Sequence, residues 1–366
     1  MKRPKIRRTT PALKPVKDQS IVITGASSGI GLETARRAAD RGARVFLIAR
    51  NEEALKEVCG EIAAAGGEAD YYAADMGVEE QAESAANAAI ALMGGFDTWV
   101  NCAGVSIYQN LEDVSDADHR RLFDTVYFGV VHGSQVAVRH LKTKSDGGAL
   151  INIGSVLSDM SAPVQGAYSA AKHAVKGYTN ALRMELMDAP VSVTLIKPSS
   201  IDTPFASHAK NTLERAARVP PPVYKPEAVA NAILAAASHR HREITVGLGG
   251  AVMSAAANLT PRLADRVYAA TMRNLMQSRS EAAGSEDSLH QPSTDGRTRG
   301  QHRSVVPASP YTQFQTSKTG RIVAAVGGVA LTALMARRYA MHAKTLVDWA
   351  RKDRAPMKKT KHAFFG

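Results

Sequence analysis

A chain of 366 residues can bury a full core, and 45% hydrophobic with 22% charged residues is the balance of an ordinary folded protein, which excludes a wholly disordered or collagen-like chain. Two cysteines, Cys59 and Cys102, exclude a disulfide framework and a paired-cysteine metal site, so no metal is expected and a reducing compartment fits. The formal net charge of +12 belongs to the ends: residues 1–19 hold +6 and residues 337–366 hold +7, leaving the body near −1.

The N-terminal arm, 1–19, is basic and lacks the apolar stretch of a secretory signal, so a cytoplasmic body is expected. The arms lack the regular interleaving of aromatics that makes a stacking surface, and nucleic acid is not an expected partner.

From residue 20 to 247, short β-rich runs alternate with longer helical patterns. The strand candidates are "SIVIT" (20–24), "ARVFLIA" (43–49), "EADYYAA" (68–74), "DTWVN" (97–101), "ALINIG" (149–154), "VSVTLI" (191–196) and "EITVG" (243–247). Several are continuously apolar, as strands covered on both faces should be. Between them, Gly42 is placed to stop one helix and Asn51 to cap the next. The alternation predicts an α/β fold, a doubly wound parallel sheet of Rossmann type with about seven strands, binding its ligand beyond their carboxyl ends.

Directly after the first strand comes "TGASSGIG" (24–31), leading into a helix. Gly25, Gly29 and Gly31 permit a tight turn and a close backbone approach to phosphate, while the helix N-terminus offers unpaired N–H groups. The spacing differs from the better-known Gly-x-Gly-x-x-Gly fingerprint. The second strand ends "LIAR", with Ala49 where an acidic ribose-binding residue could stand and Arg50 beside it. A guanidinium there pairs with a 2′-phosphate, which favours NADP(H) over NAD(H).

"GAYSAAKHAV" (166–175) places Tyr168 and Lys172 four apart, hence on one helical face. A phenol near pKa ~10 is a poor acid or base at neutral pH, and a nearby cation brings it closer.

With "TGASSGIG", "NCAG" (101–104), Ser155 and "YSAAK" (168–172) in this order, the chain resembles the short-chain dehydrogenase/reductase family over roughly residues 19–247. The resemblance implies that Tyr168 passes the proton in carbonyl reduction and alcohol oxidation. Lys172 would lower its pKa and hold the nicotinamide ribose, and Ser155 would hold the substrate oxygen. It extends the cofactor contacts to Ser27, Ser28 and Ile30 in the glycine turn. Asp75, followed by Met76, looks like the acid that meets the adenine amine. Asn101, Ala103 and Gly104 resemble the Asn-Ala-Gly motif, widened by Cys102. Pro198, Ile201 and Thr203 lie in "KPSSIDTP", which resembles the stretch meeting the nicotinamide amide, with Ser199 replacing the usual glycine. In "DTVYFGVVHG", Val126 stands where many relatives carry a catalytic asparagine, so a triad is expected, with His132 and His173 as weak candidates for a relay. The resemblance also implies a homo-oligomer pairing through the helices after the fourth and fifth strands.

Beyond the catalytic domain, 248–278 reads as a helical appendage and 279–320 as a linker too polar to offset its chain entropy. In 321–366, the uncharged run 322–336 spans about 22 Å as a helix, short of the ~30 Å hydrocarbon core. With the basic amphipathic residues after it, it is expected to rest on a membrane surface. The function expected is an NADP(H)-dependent oxidoreductase interconverting a carbonyl and an alcohol, on a lipophilic substrate; the alternatives are an NAD-dependent alcohol dehydrogenase and a non-catalytic nucleotide-binding scaffold.

Overall fold

The computed structural model describes residues 12–281, 287–292, 296–300, 302, 305–320 and 322–323. Met1–Thr316 forms one compact unit and Ser317–Gly366 another. The expected membrane-surface segment, 321–366, lies almost wholly outside the described residues, as do residues 1–11 of the basic arm.

Seven strands, β1 Ser20–Thr24, β2 Arg44–Ala49, β3 Glu68–Ala73, β4 Thr98–Asn101, β5 Gly148–Ile153, β6 Val191–Pro198 and β7 Glu243–Val246, form one parallel sheet. Their order is β7-β6-β5-β4-β1-β2-β3, with Ile23 opposite Leu47 on one side and Val100 on the other. Each strand falls on one of the runs read from the sequence. The winding reverses between β1 and β4, which opens a crevice at their carboxyl ends.

The strands alternate their side chains between two covered faces. Ile21, Ile23 and Leu47 pack under helices α1 Gly29–Asp40, α2 Glu52–Ala64 and α7 Pro226–Ser238. Val22, Phe46 and Trp99 pack on the opposite face under α3 Glu79–Met93 and α5 Gly129–Thr143. Helix α4 Asp116–Phe123 runs through a π-turn into α5, and α6 Gly166–Glu185 carries the "YSAAK" motif. Gly42, at φ 84°, ends α1, and the Asn51 side chain accepts from Ala54 N–H at 3.1 Å to cap α2.

After β7, α8 Leu248–Leu259 and α9 Pro261–Leu275 form a hairpin in which the Tyr268 hydroxyl donates to Met253 C=O at 2.7 Å. Residues Gln277–Glu281 then pair antiparallel with Arg215–Ala217, and α10 Pro310–Thr316 returns to β7, where Gln315 donates to Thr245 C=O at 2.8 Å. The stretch 279–320, read as a linker from its polarity, thus has described residues lying on the body. Main-chain groups hold it, with Leu289 as a fully buried apolar side chain.

Candidate active site

The turn after β1 must pass close to its neighbours. At Gly25, φ is +66°, and a Cβ would stand 2.7 Å from Ala103 Cα; at Gly31 it would stand 2.1 Å from Gly25 C=O. No side chain other than hydrogen fits at Gly31 without moving backbone. The Thr24 hydroxyl accepts from the N–H groups of Cys102 and Ala103 at 3.0 and 3.1 Å, tying this turn to the loop after β4.

A cavity of about 260 Å³ opens at the carboxyl ends of the strands. Its wall contains Gly25, Ser27, Ser28, Gly29, Ile30, Gly31, Arg50, Asp75, Met76, Ala103 and Gly104. Ser155, Tyr168, Lys172, Pro198, Ile201 and Thr203 line it too.

Asn101 is not brought there. It is 2% exposed and accepts from the Trp99 indole at 2.7 Å while donating to Asn152 at 2.8 Å and Ser134 at 3.1 Å. Its amide ties β4 to β5 and α5 beneath the site. His132 and His173 bond main-chain carbonyls of Met76 and Ser169 instead of lining the cavity.

Tyr168 and Lys172 both face the cavity from one side of α6 and both are buried. The Lys172 ammonium donates to Ile153 C=O at 2.7 Å and lies 5.6 Å from the centroid of the Tyr168 ring. Ser155 follows β5 at the start of the short turn Val156–Ser158, where its hydroxyl accepts from Leu157 N–H at 3.0 Å. Its oxygen is thereby oriented with its O–H still to give. Phe205 packs against the phenol ring at 5.4 Å between centroids.

Burial is the largest influence on both members of the pair. It raises the Tyr168 phenol above its ordinary range, an effect the Ser155 hydroxyl partly offsets, and it lowers Lys172 to about 8. Burial also pushes the Cys102 thiol up to about 12, so that side chain stays protonated and inert. At the far end of the cavity, Asp75 accepts from Gly77 N–H at 2.9 Å and from Arg121 at 2.6 Å.

Several lining residues carry no sequence signal. Val126 is 0% exposed, packed with Leu122 and Tyr168, and does not line the cavity, whereas its neighbour Thr125 does. Four methionines, Met160, Met253, Met272 and Met276, also line it, the last three contributed by the appendage. Ser288 and Pro292 reach it from the expected linker.

The cavity fits a nicotinamide dinucleotide. A helix N-terminus, a glycine turn with no room for a side chain at Gly25 or Gly31, and a basic residue at the end of β2 form a phosphate cradle. Among the described residues, the buried hydroxyls of Thr125 and Ser199 have no hydrogen-bond partner, and both lie in this wall, where a polar ligand would satisfy them. Also among the described residues, no three His, Cys, Asp or Glu converge to hold a metal ion.

Comparison with known proteins agrees with this geometry. The short chain dehydrogenase family model matches residues 19–214. A Bacillus subtilis protein, uncharacterized oxidoreductase YxnA, is 42% identical over 326 residues, 88% of this chain and 92% of its own. The 3beta-hydroxysteroid dehydrogenase 1 of Eggerthella lenta is 32% identical over 191 residues, 52% of this chain and 73% of its own. A metagenomic short-chain oxidoreductase solved in complex with NADP superposes with a TM-score of 0.54 at 28% identity, over 62% of this chain and 96% of that one. The chain belongs to the short-chain dehydrogenase/reductase family and is an oxidoreductase that works between CH–OH and C=O groups with a nicotinamide dinucleotide.

Proposed function

We propose that the protein reduces a lipophilic ketone or aldehyde, and oxidises the matching alcohol, with NADP(H) as cofactor and Tyr168 as general acid/base. The observation that carries this reading is the convergence of Ser155, Tyr168 and Lys172 on one cavity that also contains the glycine turn. When bound, the nicotinamide supplies or accepts the hydride. Gly25, Ser27, Ser28, Gly29, Ile30 and Gly31 would hold the phosphates, Arg50 would pair with the 2′-phosphate, and Asp75 and Met76 would meet the adenine. Ala103, Gly104, Pro198, Ile201 and Thr203 would hold the nicotinamide half.

In reduction, the carbonyl carbon receives the hydride while the phenolic O–H of Tyr168 gives its proton to the carbonyl oxygen. The Ser155 hydroxyl donates a second hydrogen bond to that oxygen as negative charge develops. Lys172, held by Ile153 C=O, places a cation beside the ring and stabilises the phenolate left behind. In oxidation, the same phenolate takes the alcohol proton.

Three features support a lipophilic substrate. Phe205, Leu157 and the four methionines line the side of the cavity that holds Tyr168, and thioethers adapt to irregular apolar shapes. One relative is named a steroid dehydrogenase. The outer face of α8 and α9 exposes Leu248, Val252, Leu259, Leu263 and Val267, while Met253 and Met272 on the same helices reach the cavity, an arrangement suited to a membrane surface. Among the described residues, no helix is long and apolar enough to cross a membrane. Cys59 and Cys102 are free thiols, as a reducing compartment such as the cytoplasm permits. Exposed Phe128 and Met184 on the α5 and α6 side suit a second copy of the chain.

The test is a panel of carbonyls and alcohols followed by nicotinamide absorbance, with Tyr168→Phe as control. Turnover of apolar carbonyls that Tyr168→Phe lowers about 10²- to 10⁴-fold is expected; turnover that stays within about tenfold of the parent refutes the reading.

A further inference from the structure

We propose that residues 287–292 and 296–300 roof the adenosine half of the dinucleotide site, so that the dinucleotide enters and leaves only when they lift. The inference rests on the dinucleotide reading given above. It concerns a stretch whose composition alone suggests a linker.

The segment is latched directly onto the phosphate cradle. Gly29 N–H, the first of α1, donates to Arg297 C=O at 2.9 Å, and Gly296 N–H donates to Ser27 C=O at 2.9 Å. Both guanidinium groups at the adenosine end are turned into its main chain. Arg50 donates to the carbonyls of Ser288 at 2.5 Å, Gln291 at 3.3 Å and Leu289 at 3.4 Å. Arg121 donates to Leu289 C=O at 2.9 Å through one nitrogen while another holds Asp75. Ser288 and Pro292 line the same cavity as Gly25, Ile30 and Asp75, so the segment forms part of the wall of the site.

Its anchors lie outside the cradle. The Leu289 side chain is 0% exposed within the apolar cluster that also holds Leu122 and Ala209. His290 meets the Asp118 carboxylate at 2.9 Å, and the Ser288 N–H and hydroxyl both donate to His208 C=O, at 2.8 and 2.9 Å. One buried apolar side chain, the His290–Asp118 and Arg299–Glu227 pairs and a row of bonds to main-chain groups hold the segment in place. A piece held this way opens locally at far lower cost than the sheet beneath it. The Arg50 guanidinium, bonded here to the closed segment, is the group assigned above to the 2′-phosphate.

The experiment is stopped-flow measurement of NADPH association and dissociation by cofactor fluorescence, on the full chain and on Leu289→Ala. Removing the buried anchor is expected to raise both rate constants by about tenfold or more, with the dissociation constant moving less than about threefold, because the lifted form becomes more populated without any loss of cradle contacts. Unchanged rates overturn the proposal. So does a rise in association alone with a tighter dissociation constant, which marks a segment competing for the cradle and not covering it. If NADPH binds neither protein, the dinucleotide reading fails first and the roof with it. Should Leu289→Ala not fold, His290→Ala removes only the pair between the half-exposed imidazole and the buried Asp118 carboxylate, and the same two rate constants decide.

Discussion

Arg50 offers the sharpest separation between the two dinucleotides. It stands at the end of β2, next to Ala49, where no carboxylate is present to bind a ribose 2′-hydroxyl or repel a 2′-phosphate. In the structure its guanidinium donates to the carbonyls of Ser288, Leu289 and Gln291. A 2′-phosphate offers the same donors a doubly charged acceptor, and hydrogen bonds to charged groups contribute about 1.5–3 kcal/mol. At about 1.4 kcal/mol per tenfold, Arg50→Ala should weaken NADPH by about 10- to 150-fold. NADH lacks the phosphate, and its affinity should move less than about threefold. Arg50→Asp should go further and reverse the order, because a carboxylate repels the phosphate and accepts from a free 2′-hydroxyl. Fluorescence titration of both reduced dinucleotides into the three proteins reads this directly. Equal weakening of NADPH and NADH by Arg50→Ala would refute the phosphate contact and assign Arg50 to holding the segment above it. An unchanged NADPH affinity would refute it as well.

The buried ammonium makes the site sensitive to alkali. Lys172, lowered by burial to about 8, carries its charge below that pH and loses it above, so kcat/KM for the dinucleotide should be level up to about pH 8 and fall about tenfold per unit beyond; a profile level to pH 10 would contradict the shift. Ser155→Ala should lower turnover by about 10²- to 10³-fold with the dinucleotide affinity unchanged, as steady-state rates and titration will show. Gly31→Ala drives a Cβ to 2.1 Å from Gly25 C=O, and it should lower Tm by several degrees and abolish dinucleotide binding, since neither backbone can yield without opening the cradle. Sedimentation with anionic vesicles at low salt should carry down the full chain and release it at high salt; a full chain that stays in the supernatant at low salt would remove the membrane surface from its partners.

The sheet was legible because parallel strands under helices on both faces must be apolar throughout. In β2, for example, Val45–Ala49 are apolar without a break and all buried, and the run stands out in the sequence. The cradle was legible for a steric reason, since only glycine fits where Gly31 meets Gly25. Tyr168 and Lys172 could be paired because a helix puts residues four apart on one face.

Other parts had no such signature. Helix periodicity does not say which of Thr125 and Val126 reaches the cavity, because the π-turn Asp124–Phe128 inserts an extra residue and rotates the face. Asn101 carries a motif identity, yet Trp99, two residues earlier on the same strand face, holds its side-chain oxygen in the core. The methionines of α8 and α9 became part of the site only when the appendage packed across it. Residues 287–292 and 296–300 are held largely through main-chain groups, which every sequence possesses, so composition could not reveal their placement.

A single comparison of Tyr168→Phe with the parent protein, measuring NADPH affinity and the rate of carbonyl reduction on the same samples, tests the proton-transfer chemistry most directly. The phenyl ring should bind NADPH within about threefold of the parent while turnover falls about 10²- to 10⁴-fold, the range a positioned acid contributes. Turnover within about tenfold of the parent, with NADPH bound normally, would show that another group delivers the proton.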